Sequence, residues 1–225
     1  MTSRGAKQLT FTFARPRKRR RGRARAGVPH TERPPHCRRH PVHVTLRRAR
    51  ALPSMRSQAV FPALRRALAE TPRSWFRVVQ FSIQSDHAHF VVEADDKASL
   101  ARGMTGLSVR LARAYNRVVV RRGRLWSERY HSRALKTPRE VRLALVYVLG
   151  NWRKHGHWRH QRCGRAFDPC SSAWWFVGWA HPPASGPPVP AGDPSVRLAQ
   201  TWLASTGWRL YGLLDSAEGP ASTRA

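Results

Sequence analysis

The sequence predicts an α+β sandwich, in which a mostly antiparallel sheet is covered by helices on one face. Three observations favour this fold class. Stretches with strand alternation and stretches with helical periodicity follow one another in the order strand, helix, strand, strand, helix, strand, helix. The middle two strands are separated only by Gln84-Ser85-Asp86, a turn that would pair them antiparallel. At 225 residues the chain can hold one complete core with additional segments at its ends.

The first half of the predicted core contains two strands and a helix. Val42 to Leu46 alternates between apolar and polar residues and predicts the first strand. From Ser54 to Glu70 the apolar residues recur at helical spacing, although Pro62 favours a later start of this helix. Trp75 to Ile83 is rich in Phe and Val and predicts the second strand. The strand after the turn runs to Glu93.

The second half adds two helices and a strand. Ala98 to Arg117 carries an apolar stripe with arginines on its other face and predicts a helix. Arg129 to Leu135 predicts the fourth strand. Thr137-Pro138-Arg139-Glu140 is a capping box with proline at the first helical position, so a third helix should begin there. With this element order we expect a ferredoxin-like sandwich.

The chain is strongly basic, with 42 Lys and Arg against 12 Asp and Glu and a net charge of +30. Such a charge opposes compaction unless a polyanion shares the surface, and nucleic acid is the partner we expect. The sequence lacks a run of about 18 apolar residues and the apolar core of a secretory signal, so we expect no membrane partner. Three cysteines, Cys37, Cys163 and Cys170, indicate a reducing compartment rather than a disulfide framework.

The composition divides the chain into three parts. Residues 1–38 form a basic arm that should be disordered alone, and its densest part includes the DNA-binding candidates Arg17, Lys18, Arg19, Arg20 and Arg21. Residues 39–160 should form the folded domain that contains the predicted sheet and its helices. Residues 161–225 should form an aromatic strap around residues 168–179, a Pro-rich linker over 181–194 and a short amphipathic helix from Ser195 to Leu214, with Leu198, Trp202 and Leu203 on its apolar side. We expect the strap to pack on the domain of residues 39–160, although its rings could also stack on bases.

Two histidines in the strand after the turn are the first candidate site. His87 and His89 are two residues apart, so both side chains point to the same face, while Ala88, Phe90 and Val92 point to the other. Two imidazoles about 7 Å apart along a strand could hold one divalent cation. On spacing alone, two ordinary surface histidines remain the alternative.

Tyr147 is the second candidate, because it lies off the apolar stripe of its helix. Val141, Ala144, Leu145, Val148 and Leu149 follow helical spacing, whereas Tyr147 is about 200° from Leu145. Asn151 is one turn further along the same face as Tyr147. Tyr130 is a rival nucleophile but lies in a predicted strand, and Tyr115 follows the apolar stripe of its own helix.

Three segments, in this order, resemble one family. Asp86-His87-Ala88-His89-Phe90-Val91-Val92-Glu93 resembles a His-hydrophobic-His strand, and Arg124-Leu125-Trp126-Ser127-Glu128-Arg129-Tyr130-His131 resembles a Gly-x-x-Trp-x-x-x-Tyr segment. The segment from Tyr147 to Gly156 resembles a Tyr-Ile-x-x-Asn-Pro-x-x-x-Gly helix end. Together they are similar to the tyrosine-dependent HUH single-strand transposases, the IS200/IS605-like family, and especially to the REP-associated tyrosine transposases. The departures are Ala88 for a larger aliphatic, Asp86 for Asn and Trp152 for Pro.

This resemblance implies a function. The chain would be a metal-dependent transposase that nicks and rejoins single-stranded hairpin DNA through a 5′-phosphotyrosine at Tyr147. His87, His89 and the amide oxygen of Asn151 would hold Mg²⁺ or Mn²⁺. The protein would act in the bacterial cytoplasm, in association with the nucleoid, and could form a homodimer.

Further basic residues are candidates for DNA contact, namely Arg121, Arg122, Arg124, Arg153 and Lys154. Two alternatives remain open at this point. One is a non-catalytic DNA- or RNA-binding protein built on the same fold. The other is structural zinc held by His155, His157, His160, Cys163 and Cys170, whose spacing is not that of a recognised finger.

Overall fold

Four antiparallel strands form one sheet in the order β2–β3–β1–β4. The structure is a computed structural model that describes residues 33–71, 74–154, 167–182 and 195–219. The strands are β1 (Val42–Arg47), β2 (Phe76–Ile83), β3 (His87–Ala94) and β4 (His131–Ala134). The predicted α+β class and antiparallel pairing are confirmed, and the strand order is that of a ferredoxin-like sheet.

The main helices are α1 (Val60–Ala69), α2 (Lys97–Val118) and α3 (Pro138–Lys154). α1 starts six residues later than the predicted Ser54, in agreement with the later start that Pro62 favours. The predicted capping box of α3 is present: the Glu140 amide donates to the Thr137 hydroxyl at 3.2 Å, and the Thr137 amide donates to the Glu140 carboxylate at 3.2 Å. These reciprocal bonds satisfy two amides at the helix start and fix where α3 begins.

One face of the sheet carries the larger apolar core. Ala88, Phe90 and Val92 of β3 point into it, and α1 and α2 cover it. Gly103 of α2 lies against the ring of Phe76, where an added Cβ would come within 2.2 Å of the ring. A side chain at this position would therefore force α2 away from the sheet.

The opposite face of the sheet is covered by α3, which corrects the expectation that all helices lie on one face. Val79 and Val91 point toward α3 and pack with its apolar stripe in a second, separate core. The reason is visible in β2 and β3, in which every residue is buried, so both faces of these strands need a cover. Periodicity identified the stripe of α3 but could not show which face of the sheet it meets.

The C-terminal segments pack on α3 and along the free edge of β2. We call residues 167–182 and 195–219 the extension. The Ser172 amide donates to the Phe81 carbonyl and the Arg197 amide to the Val78 carbonyl, which covers the edge of β2. Arg56 forms a two-pronged ion pair with fully buried Asp168 at 2.7 and 2.9 Å. The predicted packing of the strap on residues 39–160 is confirmed.

The predicted helix from Ser195 to Leu214 is wrong in most of its length. Only α4 (Trp202–Ser205) is α-helical, and a 3₁₀ helix (Gly207–Tyr211) follows it. Leu198 was expected to share a buried side with Trp202 and Leu203, but Leu198 and Trp202 are exposed. Trp208 is the buried anchor instead, within the core next to α3. In the described ranges, no helix is both long and apolar enough to cross a bilayer.

Candidate active site

Three histidines meet on the face of the sheet that α3 covers. His87 and His89 lie on β3, and His43 lies on the adjacent strand β1. Thr45, two residues after His43 on the same face of β1, is directly opposite His89. The ring centroids of His87 and His89 are 4.8 Å apart, and those of His43 and His89 are 5.4 Å apart in a stacked arrangement. All three side chains are buried. The alternative of two ordinary surface histidines is therefore excluded.

Each histidine of β3 has a hydrogen-bond partner at its Nδ1 atom. His87 Nδ1 lies 2.7 Å from the Asp86 carboxylate, and His89 Nδ1 lies 3.0 Å from the Thr45 hydroxyl. Because a carboxylate only accepts, His87 Nδ1 donates this bond, and Nε2 is the ring nitrogen left to bind a metal when the ring is neutral. Burial acts to raise the pKa of Asp86, but its bond to His87 and the nearby charges lower it overall. Such outer partners typically orient metal-binding imidazoles.

Tyr147 projects from α3 onto these histidines. Its ring centroid is 5.0 Å from that of His89 and 5.7 Å from that of His43, edge-on in both cases. The side chain is half-buried, and burial raises the pKa of its phenol above the usual value of 10. Its off-stripe position in the sequence therefore corresponds to a position between the helix and the histidines, in the same chain.

Asn151 lies one turn beyond Tyr147 and is completely buried, with 0% of its surface exposed. Within the part of the chain that the structure describes, neither its amide oxygen nor its amide nitrogen has a hydrogen-bond partner. A buried amide without partners is costly, so a ligand at this position would stabilise it.

The residues present fit a divalent metal. Two imidazoles with oriented rings and one amide oxygen provide a donor set that Mg²⁺ or Mn²⁺ could share with water and phosphate oxygens. Among the described residues, no cluster of three or more His, Cys, Asp or Glu side chains could hold a metal by itself. The zinc alternative concerns residues 155–163, which lie outside the described ranges, and Cys170, which is buried.

The predicted basic contacts separate into three groups. Arg121, Arg122 and Arg124 lie in the turn after α2. The chain that follows this turn pairs with the end of β1 near His87: the Ala49 amide donates to the Leu125 carbonyl, and the Ser127 amide donates to the Arg47 carbonyl. Arg153 is half-buried, with its guanidinium 5.4 Å from the Trp152 ring. Lys154 ends α3. The five residues from Arg17 to Arg21 lie outside the described ranges.

The two rival tyrosines lie away from the histidines. Tyr130 belongs to the core on the opposite face, and the guanidinium of Arg33 is 3.4 Å from its ring. Tyr115 is fully buried in the same core and donates to the Pro53 carbonyl at 2.7 Å. Their positions leave Tyr147 as the phenol that shares a face with His87 and His89.

His43 is the site residue that the sequence reasoning missed. Burial, followed by the charge of Arg133, lowers its pKa to about 4, so its ring is neutral near pH 7. The signal was present, because alternation in β1 puts His43 and Thr45 on one face and Val42, Val44 and Leu46 on the other. A polar pair facing inward on a central strand indicates a site rather than a solvated face.

Comparison with known proteins gives the following similarities. The family described as IS200-like transposases matches residues 35–148, just over half of the chain. One similar solved structure is that of a REP-associated tyrosine transposase bound to a REP hairpin, with a TM-score of 0.46 and 14% sequence identity. The similarity covers 57% of this chain and 75% of that one. No curated protein is significantly similar in sequence.

Proposed function

The chain belongs to the IS200-like transposase family, and from that premise we propose that it nicks and rejoins single-stranded DNA through a covalent bond to Tyr147. The reaction is metal-dependent, and the preferred substrate is a hairpin with single-stranded flanks. His87, His89 and Asn151 hold the metal, and Tyr147 is the nucleophile.

One observation carries this proposal. The phenol of Tyr147 lies edge-on to His89, with ring centroids 5.0 Å apart, and the two groups come from elements of the same chain. A nucleophile must reach the phosphorus atom while the same phosphate is held by the neighbouring groups. The contact between Tyr147 and the histidine pair supports this juxtaposition, and it needs no second chain to supply the tyrosine.

The covalent step follows from the chemistry of the phenol. Tyr147 Oη attacks phosphorus, the bond from phosphorus to the 3′ oxygen breaks, and the leaving strand takes up a proton as a 3′-hydroxyl. The product is a 5′-phosphotyrosine, so rejoining is the reverse reaction and needs no ATP. A divalent metal at this site would polarise the phosphate and offset the negative charge developing on its oxygens.

The protein groups have separate tasks in this step. Asp86 and Thr45 hold the imidazoles of His87 and His89 through their Nδ1 atoms, which orients the Nε2 atoms. Because burial raises the pKa of Tyr147, free phenolate is scarce at neutral pH and the proton leaves during attack. Arg121, Arg122 and Arg124, in the turn near the His87 end of the sheet, attract the phosphates of the strand.

Covalent capture is the decisive experiment. The purified protein is incubated with a 3′-labelled hairpin oligonucleotide in Mn²⁺, so that the label stays on the fragment joined to the tyrosine, and adducts are resolved by denaturing electrophoresis. We expect a labelled adduct that is lost with EDTA and with Tyr147→Phe. Tyr130→Phe is the matched control, because it removes the same hydroxyl from the opposite face and should leave the adduct intact.

Two outcomes would contradict the proposal. An adduct that survives Tyr147→Phe and is lost in Tyr130→Phe would show that Tyr130, and not Tyr147, is the nucleophile. Tight hairpin binding without any adduct, across Mg²⁺ and Mn²⁺, would instead support a non-catalytic nucleic-acid-binding protein on the same fold.

A further inference from the structure

A groove of about 870 Å³ lies between the edge of β2 and the extension. Its lining includes Gln80 of β2, Trp175 and Phe176 of the strap, and Arg197, Trp208 and Arg209 from the C-terminal segment. This volume falls within the range of ligand-binding clefts, roughly 300–1,000 Å³. We call it the extension groove. Most of its lining residues lie beyond residue 148, where the match to the transposase family ends.

The charged side chains that line the extension groove are all positive. Arg77, Arg197 and Arg209 line it, and none of its described lining residues is Asp or Glu. Arg77 is buried and paired with Glu93 at 3.1 Å, so its charge is neutralised. Arg197 and Arg209 are exposed, and the Arg209 guanidinium is held over the Trp208 ring at 5.1 Å with a bond to the Ser205 carbonyl. Two exposed cations therefore face one groove.

Apolar and aromatic side chains form the rest of the groove. Val177 is 76% exposed and Leu198 is 83% exposed, although both belong to its lining. Phe176 and Trp208 pack with ring centroids 5.5 Å apart. Both rings pack closely on the backbone of Gly178, where an added Cβ would overlap them. Exposed apolar residues beside a fixed aromatic surface mark an interaction site.

We propose that the extension groove binds a single-stranded DNA segment that flanks the one held at Tyr147. Bases contact Trp175 and the apolar rim formed by Val177 and Leu198, and phosphates contact Arg197 and Arg209. This inference rests on the proposed function for the identity of its ligand.

The chemistry of the groove selects a single strand. A duplex keeps its base faces stacked inside and offers mainly phosphates, which would leave Val177 and Leu198 uncovered. A single strand offers base faces and phosphates together, and proteins bind it with aromatic surfaces beside positive charge. The neighbouring cleft beside Arg38 and Arg39 is less suited, because Glu93 and Asp95 also line it.

Charge reversal at the groove tests the inference. Binding of a fluorescein-labelled oligothymidine of about 20 nucleotides to the full chain is measured by anisotropy over a range of salt concentrations. We expect Arg197→Glu and Arg209→Glu each to weaken binding about five- to tenfold. Each should also make the dependence of log K on log salt shallower by about 0.7 for each lost phosphate contact.

Arg113→Glu is the matched control, because it makes the same change of charge at an exposed position on α2, on the other face of the sheet. We expect less than a twofold effect from it. A second measurement uses an oligonucleotide with 5-iodouracil, photocrosslinking and peptide mapping, and crosslinks should map to the peptide that contains Trp175.

The outcomes separate this inference from the proposed function. If no Tyr147 adduct forms but both groove variants lose binding, the groove assignment stands and the strand-transfer proposal fails. If the adduct forms and both variants bind as Arg113→Glu does, the groove assignment is wrong. If the variants lose binding to an RNA oligomer and not to DNA, DNA is the wrong ligand.

Discussion

The two faces of the sheet are built from the same strands but have opposite chemistry. On β3, Ala88, Phe90 and Val92 enter an apolar core. On the other face, His89 contacts both His87 and Tyr147. On β1 the same division separates Val44 from His43 and Thr45. The difference shows that strand alternation lets one short segment carry both the stability of the fold and its proposed chemistry, with each on its own face.

The largest expected effect on activity comes from substituting one residue on the histidine face of β3, and it is compared with a substitution on the apolar face. His89→Ala should reduce the rate of adduct formation on the order of 10³-fold, because several kcal/mol of stabilisation by the metal would be lost and each 1.4 kcal/mol is tenfold. Because His89 is buried and bonded to Thr45, its urea midpoint should also fall, but by less than that of Phe90→Ala. Phe90→Ala should destabilise the fold by roughly 3–5 kcal/mol. Equal losses of stability in both variants would contradict the division between the faces.

The second prediction concerns the ion pair that joins the extension to the segment before α1. Arg56→Ala leaves the Asp168 carboxylate fully buried without its guanidinium partner. Removal of one member of a buried pair typically costs about 3–5 kcal/mol. Urea denaturation followed by tryptophan fluorescence measures this loss. Arg65→Ala is the control, since Arg65 is a partly exposed arginine on α1, and its midpoint should stay within experimental error.

A smaller effect is expected from the outer partner of His87. Asp86→Ala removes the carboxylate that lies 2.7 Å from His87 Nδ1. Loss of such a partner typically lowers metal affinity about 10- to 100-fold. Titration with Mn²⁺ followed by electron paramagnetic resonance measures the affinity without any DNA. An unchanged affinity would mean that His87 does not bind the metal through Nε2.

The last prediction compares a buried with an exposed cysteine and tests packing rather than activity. Burial raises the pKa of the Cys170 thiol to about 12, from 9.0. A raised pKa keeps the thiol protonated up to that pH, so at pH 8 its reactive thiolate is about a thousandfold scarcer than at a pKa of 9.0. Iodoacetamide at pH 8 should therefore modify exposed Cys37 and spare Cys170, as measured by peptide mass spectrometry. Equal labelling of the two cysteines would show that the strap opens in solution.

Structural features that depend on a few neighbouring residues could be predicted from the sequence. The turn before His87, the capping box of α3 and the off-stripe position of Tyr147 are all features of a few neighbouring residues, and the structure has each of them. The choice of nucleophile among three tyrosines also followed from periodicity, and its chemical role stays a prediction. These features depend on backbone geometry within one element, which short sequences specify directly.

Features that depend on distant contacts could not be predicted. The face on which α3 packs, the stacking of His43 on His89 and the burial of Trp208 are each determined by which elements meet. Leu198 shows the limit clearly, because its helical spacing to Trp202 predicted a buried stripe. The backbone of residues 195–200 instead follows the edge of β2, through the bond from Arg197 to Val78.

Glu93 of β3 joins the sheet to the extension through buried hydrogen bonds. Its buried carboxylate accepts hydrogen bonds from the Gln200 amide and from the amide and hydroxyl of Thr201, at 2.8–3.0 Å. A shortened protein that ends at the family boundary would leave this carboxylate with Arg77 and without those three donors. Loss of the extension would therefore leave Glu93 held by Arg77 and water alone, and would weaken the part of the sheet that this carboxylate joins to the C-terminal segment.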